Sequence, residues 1–475
     1  MRSDDLFTSL ETIVGPGGIL TSTADTAAYN LEHRGNFPGR ALAVVRPRTT
    51  AEVSAVIKAC AHARTPIIPQ GGNTGLVGGS TPDDSGQEVV LSLERMRRIR
   101  QVNPLDNTIT VESGCILQSV QEAATAHGRM FPLTLGSEGS ATIGGNLSTN
   151  AGGDQVIRYG NTREQALGLE VVLADGSILN GLSPLRKDNS GYDLKHLFIG
   201  GEGTLGVITA ATLKLYPLLR QQATAWIAVQ DARQAVALLA RLRDVLGDRI
   251  TAFEIMARAT VDLVLRHFPD LQEPLPGSRP WILLVDVSDT SVRYPLQEEF
   301  QLALAESMEQ GLILDAAVAS SERQSQTMWQ IRASIPEAQR KEGPSLKHDI
   351  SVPIPRIADF IDATVPKMSA IVPGIQCITF GHVGDGNLHF NQSMPPGMAK
   401  ESFLAQADAI HDLVHETAAH MQGSISAEHG IGRQKQEIFM HYKDPVAISA
   451  MYRIKAALDP ENLFNPGRLL PLRNS

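Results

Sequence analysis

Three glycine-dense stretches constrain this chain more than any other feature: GGNTGLVGGS at 71–80, GSEGSATIGGNLSTNAGG at 136–153 and IGGEGTLGVIT at 199–209. Glycine is needed where backbone takes a positive φ or approaches a ligand closely. Their uneven spacing excludes a solenoid repeat. The first stretch follows a strand-like run at 66–69 and offers many backbone N–H groups with the hydroxyls of Thr74 and Ser80. Such concave arrays suit phosphate oxygens, although one loop alone reads equally as plain surface. It is not G-x-G-x-x-G, and no GKS or GKT occurs, which disfavours a nicotinamide Rossmann site and a P-loop. The second stretch adds Ser137, Ser140, Thr142 and Asn146 among its glycines. So long a run of small residues predicts backbone lying flat against a large planar cofactor.

The chain has 475 residues, too many for one ordinary core. Its first part alternates strands and helices. An apolar strand is expected at 41–45, broken by Pro47, and Thr50 then caps a helix with Val53, Val56 and Ile57 on one face. Further strands are expected at 169–173 and 205–215, the first followed by a turn at Ala174-Asp175-Gly176. Around Tyr216-Pro217 glycine thins out. Strands at 226–229, 282–287 and 375–380 then mix with helices at 236–246 and 296–310. From about Met398 the pattern is mainly helical, with one polar break at 424–432. The expectation is an α+β protein of three consecutive domains, 1–220, 221–392 and 393–475.

Composition is that of a globular protein, 42% hydrophobic and 20% charged. The net charge of -9 argues against a nucleic-acid partner. No stretch approaches the roughly 20 apolar residues of a membrane span. The opening MRSDDLFTSLE lacks the apolar run of a signal peptide. Cys60, Cys115 and Cys377 are scattered and odd in number, which points to neither a disulfide framework nor a zinc finger. A reducing, cytoplasmic setting is expected.

Together the three glycine stretches resemble the FAD-binding domain of the vanillyl-alcohol oxidase/p-cresol methylhydroxylase superfamily. The resemblance implies that the first loop holds the pyrophosphate and the second runs beside it to the flavin. It implies FAD contacts at Pro69, Gly71, Gly72, Asn73, Thr74, Gly75, Gly78, Ser80, Gly136, Ser137, Gly139, Ser140, Thr142, Gly145, Asn146, Gly203, Gly206, Ile208 and Asn465. Covalent members often place a histidine in or near the first loop. Gly72 and Asn73 stand there in this chain, so the FAD is expected to be non-covalent.

The sharpest local motif is GHVGDGNLHFN at 381–391. Asp385-Gly386 suits a two-residue hairpin turn. In that register His382 faces His389, and Phe380 faces Asn391, on one side of the ribbon. Two paired imidazoles are a plausible start to a divalent-metal site that needs a third ligand; the plain alternative is a pair of exposed hairpin histidines. SAEHGIGRQ at 426–434 places Glu428 and His429 in a glycine-flanked break between apolar helices. Alone, that pair reads as a helix cap. Beside two histidines it offers a carboxylate ligand and an unliganded imidazole. Arg332 is a candidate grip for a substrate carboxylate and Lys347 a second cation, though either residue type is more often a solvated charge.

From Met328-Trp329 through GHVGDGNLH, SAEHGIG and DPENLFNPG, the second half resembles the FAD-linked D-2-hydroxyacid dehydrogenase branch of that superfamily. The branch acts on D-2-hydroxyglutarate, D-lactate or glycolate. The resemblance implies that His382, His389 and Glu428 bind a zinc-like metal and that His429 is the catalytic base. Arg332, Lys347 and Asn391 are then substrate contacts, able together to address two carboxylates. Pro336, one turn after Arg332, replaces a hydroxyl-bearing residue of some members, which puts the far carboxylate's contact in question. The acceptor implied is an electron-transfer flavoprotein, a quinone or a cytochrome, and the assembly a homodimer. A zinc hydrolase would leave the glycine stretches without purpose. A pure electron-transfer subunit would not need Arg332, His429 and a complete metal set.

Overall fold

The computed structural model describes residues 3–472 apart from His33 and Pro276. The chain forms two compact units, one of Met1–Gly153, Gly160–Leu218 and Glu428–Ser475, the other of Asp154–Tyr159 and Leu219–Ala427. The change of texture near 220 is therefore a boundary. The stretch from 393 onward is not a third domain: its helices to Ala427 belong to the second unit, and the remainder returns to the first. Backbone pairing explains the return. Ile67 N–H donates to Leu463 O at 2.8 Å, and Asn465 N–H donates to Ile67 O at 2.9 Å. This seats Phe464 fully buried beside Ile67, Leu91 and Val56. Burying such a ring contributes roughly 2–3 kcal/mol.

The first unit carries two main sheets. In one, strands Ala43–Val45, Val89–Ser92 and Ile67–Gln70 lie parallel, with Ile19–Leu20 antiparallel at the edge. The helix Thr50–Ala63 provides the crossover that parallel strands require. Its cap is Thr49, whose side chain accepts from Glu52 N at 3.1 Å; the hydroxyl of Thr50, the expected cap, instead donates to Glu170 at 2.6 Å. The other sheet is antiparallel, in the order Ile99–Asn103, Thr108–Glu112, Val207–Lys214, Ala166–Val172, Ile178–Gly181.

The second unit is built on an eight-stranded sheet. Its central strands Gln221–Val229, Trp281–Asp289, Ile250–Ala257, Gln376–His382 and Asn387–Ser393 lie side by side. Helices cover both faces, so these strands read as nearly continuous apolar runs. Ala225, Ile227 and Val229 join a core with helices Ala232–Leu246, Leu296–Glu309 and Ala407–His420. Trp226 and Ala228 face a second core with Arg258–His267, Glu322–Ala333 and Ile335–Glu342. The short Asp154–Tyr159 segment joins this unit because Arg158 donates to Ser288 O at 2.8 Å and to its hydroxyl at 2.7 Å. No helix among the described residues is long and apolar enough to cross a membrane.

Candidate functional site

In the first unit the glycine loops close on one another. A Cβ on Gly71 would lie 2.3 Å from Thr142 Oγ1, and one on Gly72 would lie 2.0 Å from Ser140 O. Only glycine permits that approach. The first loop also braces itself: Ser80 donates to Asn73 Oδ1 at 3.0 Å, and the Asn73 amide donates to Leu31 O at 2.8 Å. The side chains of Asn73 and Ser80 thus hold the loop, leaving its backbone as the surface for a ligand. Gly78 and Gly203 take positive φ, 68° each. Beyond Gly203 the chain enters Val207–Lys214, where Ile208 is buried, and Gly206 packs where a Cβ would strike Val171 at 2.8 Å. Asn465 donates to Gly79 O at 3.1 Å and Glu202 O at 2.7 Å, tying the C-terminal segment to two of the loops.

Three buried polar atoms around this cradle, Thr142 Oγ1, Asn146 Nδ2 and Asn465 Oδ1, have no hydrogen-bond partner within the protein. Such atoms are costly unless something else satisfies them. A large polar cofactor laid along the loops fits that requirement. Gly75 has nothing within 4 Å of an added Cβ, so its side of the loop is open. Pro69 lies in the strand Ile67–Gln70 that leads into the loop, and Gly136, Ser137, Gly139 and Gly145 line the second stretch.

Glu202 was not anticipated. Its buried carboxylate accepts from Ile431 N at 2.8 Å and Gly432 N at 2.7 Å. Burial pushes its pKa up, against the two amides. This carboxylate fixes the segment just after Glu428 and His429. That segment is non-helical, so the helix-cap reading of Glu-His does not hold.

In the second unit the histidine hairpin differs from its expected register. The strands are Gln376–His382 and Asn387–Ser393, joined by four residues rather than two. His382 pairs with Asn387, His389 with Phe380 and Asn391 with Ile378. Tertiary contact lengthens the turn: Val352 N–H donates to Gly386 O at 3.0 Å, and a Cβ on Gly386 would lie 2.1 Å from Val352 O. Asp385 stays a turn residue, accepting from Asn387 N at 3.1 Å. The slip is two residues, so no side chain changes face. His382 and His389 become diagonal neighbours with ring centroids 5.8 Å apart.

Glu254, another residue that sequence reasoning missed, organises this face. It sits opposite His382 on Ile250–Ala257 and is fully buried. It accepts from His382 Nδ1 and, at 2.5 Å, from Arg332 Nε. Burial pushes the Glu254 carboxyl up, but Arg332 and His382 outweigh it and bring it down to about 2. An ionised carboxylate only accepts, so His382 carries its proton on Nδ1 and turns Nε2 toward any ion. The Arg332 guanidinium also lies 4.8 Å over the Phe380 ring, whose other neighbour is the His389 ring at 4.8 Å. Arg332, Glu254, His382, Phe380 and His389 thus form one connected group. Its available signal was a lone acid inside the apolar run AFEIM.

Asp349 pairs with His389 in register, with its Oδ1 4.0 Å from His389 Nδ1. Lys347, two residues earlier, is exposed. Asn391 is committed within the protein: Oδ1 accepts from His348 N at 3.0 Å and Nδ2 donates to Gln339 at 2.9 Å. Pro336 lies in the first turn of Ile335–Glu342, where a missing N–H costs nothing. Ala427, the last residue of this unit, donates to Asp349 O at 3.2 Å; Glu428 and His429 follow it in the chain and open the last segment of the first unit.

Residues 41–181 match the family described as "FAD binding domain", and residues 218–469 match "FAD linked oxidases, C-terminal domain". The chain is 37% identical over 472 residues to a probable mitochondrial D-2-hydroxyglutarate dehydrogenase of Oryza sativa subsp. japonica, covering 99% of this chain and 82% of that one. It is 33% identical over 472 residues to a D-2-hydroxyglutarate dehydrogenase of Stutzerimonas stutzeri, covering 99% of each. Among solved structures it resembles p-cresol methylhydroxylase with substrate bound, at TM-score 0.73 and 16% identity over 99% of this chain and 98% of that one. It also resembles alkyldihydroxyacetonephosphate synthase, at TM-score 0.72 and 15% identity over 98% of this chain and 85% of that one. The last two likenesses concern the fold alone.

Proposed function

The chain belongs to the FAD-linked oxidase family, and from that premise we propose that it oxidises D-2-hydroxyglutarate to 2-oxoglutarate using non-covalently bound FAD. The observation that carries the reading is the buried Glu254–Arg332–His382 group, in a chain that aligns over nearly its full length with dehydrogenases of that name. Arg332, held by Glu254, grips the carboxylate next to the reacting carbon. Lys347 addresses the far carboxylate. His429 takes the hydroxyl proton. FAD, when bound, accepts the hydride from Cα. The unpartnered Thr142, Asn146 and Asn465 atoms hold that cofactor, and neither Gly72 nor Asn73 offers a nucleophile for covalent attachment.

His382, His389 and Glu428 are the donor set for a divalent ion, and two imidazoles with a carboxylate suit zinc. Such an ion supplies a Lewis acid that lowers the hydroxyl pKa. The oxidant of the reduced enzyme is an electron-transfer flavoprotein, a quinone or a cytochrome, and the assembly is a homodimer. Three free thiols suit a reducing, cytoplasmic setting.

One observation favours a second reading as a D-lactate or glycolate enzyme: the internal commitment of Asn391, which leaves the far carboxylate chiefly to Lys347. Anaerobic flavin bleaching with D- and L-2-hydroxyglutarate, D-lactate and glycolate separates the two. Fastest bleaching by D-2-hydroxyglutarate is expected. Equal or faster bleaching by D-lactate would move the assignment to the second reading.

A further inference from the structure

The hydrogen bonds that commit Asn391 run in one direction and do not end on a protein atom. The backbone N–H of His348 can only donate, so the Asn391 atom that meets it at 3.0 Å is Oδ1. That fixes the Asn391 amide, and Nδ2 turns to Gln339, where it donates to Oε1 at 2.9 Å. Gln339 is oriented in turn, and its Nε2 is left over. That Nε2 is buried and has no hydrogen-bond partner among the described residues. A buried N–H without an acceptor is costly. The last donor of this relay therefore suits an acceptor that arrives from outside the protein.

Strand register puts a cation beside it. Leu346 pairs with Gln392 and Asp349 with His389, so Lys347 stands opposite Asn391. Asp349 and His389 share a face as a pair, and alternation puts Lys347 and Asn391, each two residues away, on that same face. The face also carries Phe380, the partner of His389, with the Arg332 guanidinium over its ring. Two places thus follow one another along Asn387–Ser393. Arg332 and His389 mark the first; Lys347, Asn391 and Gln339 mark the second, two residues or about 7 Å on. The hydroxyl of a 2-hydroxy acid and a carboxylate three carbons further along span a comparable distance. Pro336, one turn before Gln339 on Ile335–Glu342 and so on the same side of it, has no donor to offer.

We propose that Gln339 is a specificity-determining residue: its Nε2 donates a hydrogen bond to the far carboxylate of the substrate, and Lys347 supplies the charge. The inference rests on the D-2-hydroxyglutarate reading and deepens it, because it names the group that tells a dicarboxylate from a monocarboxylate. His348 and Asn391 serve as positioning residues, since their bonds aim the Gln339 amide. An aliphatic end in place of the carboxylate would leave Nε2 buried and without an acceptor. A site built to hydrogen-bond a group discriminates against the analogue that lacks it for this reason.

The test uses the full-length, FAD-loaded protein and anaerobic stopped-flow reduction of its flavin. The two substrates are D-2-hydroxyglutarate and D-2-hydroxypentanoate, which has the same five carbons with a methyl in place of the far carboxylate. The reading is the ratio of their second-order rate constants. Wild type is expected to prefer the dicarboxylate, and Gln339→Leu to lower that ratio by roughly tenfold or more, the effect of losing one hydrogen bond to a charged acceptor. Gln339→Asn keeps an amide but draws it back by one carbon; it is expected to lower the ratio likewise, and it decides the matter if Gln339→Leu fails to fold. A merely structural role would slow both acids alike, and an ordered water on Nε2 would leave both unchanged. An unaltered ratio in a folded variant would therefore overturn the proposal while leaving the substrate assignment intact. Failure of that assignment looks different: wild type itself would show no preference for the dicarboxylate, and the role of Gln339 would fall with it.

Discussion

Glu254 and His382 stand opposite one another on adjacent antiparallel strands, a fully buried carboxylate bonded to an imidazole Nδ1. The same carboxylate holds Arg332. One residue therefore sets the tautomer of a proposed metal ligand and the aim of the proposed carboxylate grip. Glu254→Gln keeps the shape but loses the charge. It is expected to reduce metal affinity and substrate-dependent flavin reduction by roughly 10–100-fold, the usual effect of losing such a partner. Metal analysis beside anaerobic stopped-flow measures both. Wild-type values for both in a folded Glu254→Gln protein would show that the pair is only structural.

The loop-on-loop approach in the first unit predicts a contrast between two glycines. Gly72→Ala drives a methyl to 2.0 Å from the Ser140 carbonyl, a backbone atom that cannot give way. It is expected to lower FAD content at least tenfold and to destabilise the apoprotein. Gly75→Ala meets no protein atom within 4 Å, so it should change FAD affinity and leave apoprotein melting alone. Flavin absorbance and Tm with and without added FAD separate the two. Denatured wild type should release free FAD; yellow colour retained in the precipitate would refute the non-covalent reading.

Asp286 gives a pH-dependent stability test. Burial pushes its carboxyl up to about 6, beyond what the Thr224 and Trp329 hydrogen bonds offset, and the Asp154 and Glu254 charges add to the rise. A folded pKa above the ordinary 3.8 means that the folded state binds the proton more tightly. Its stabilising effect is complete below 3.8, is lost as pH rises to about 6, and changes no further above that. Asp286→Asn keeps an acceptor for Trp329 Nε1, now 2.9 Å from Oδ2, and abolishes the titration. Its stability relative to wild type should thus climb between pH 4 and pH 7, by on the order of 3 kcal/mol. Urea melts at both pH values measure this; a difference that does not depend on pH would exclude it.

Legibility followed the range of the forces involved. The strands Ala43–Val45, Ala166–Val172 and Trp281–Asp289 announce themselves as apolar runs, and the glycine loops as composition. Which hairpin residues share a face was legible too, because a two-residue slip changes the pairs but preserves the face. Its turn length was not, since contact with Val352, far away in sequence, sets it. The return of the C-terminal segment was equally hidden: Phe464 carries no local mark of a partner near Ile67. Glu254, Asp349 and Glu202 were missed for a shared reason. Each is a single acid whose role appears only when a distant strand or loop supplies its partners.

The segment that carries His429 is anchored by Glu202. Glu202 accepts from the amides of Ile431 and Gly432. Glu202→Ala leaves two buried N–H groups unpaired, at a cost of about 1–3 kcal/mol each. It also lets the backbone two residues from His429 shift. Misplacement by about 1 Å can cost 10²-fold in rate. Glu202→Ala should therefore lower both Tm and the rate of flavin reduction. Glu202→Gln keeps one acceptor oxygen and should fall between the two. His429→Ala removes only the proposed base, so it should lower flavin reduction roughly 10²–10⁴-fold at an unchanged Tm and with normal metal content. The three variants separate position from chemistry. A Glu202→Ala protein that melts early but reduces flavin at the wild-type rate would show that the Glu202 anchor does not serve His429. A His429→Ala protein as fast as wild type would remove His429 from the reaction.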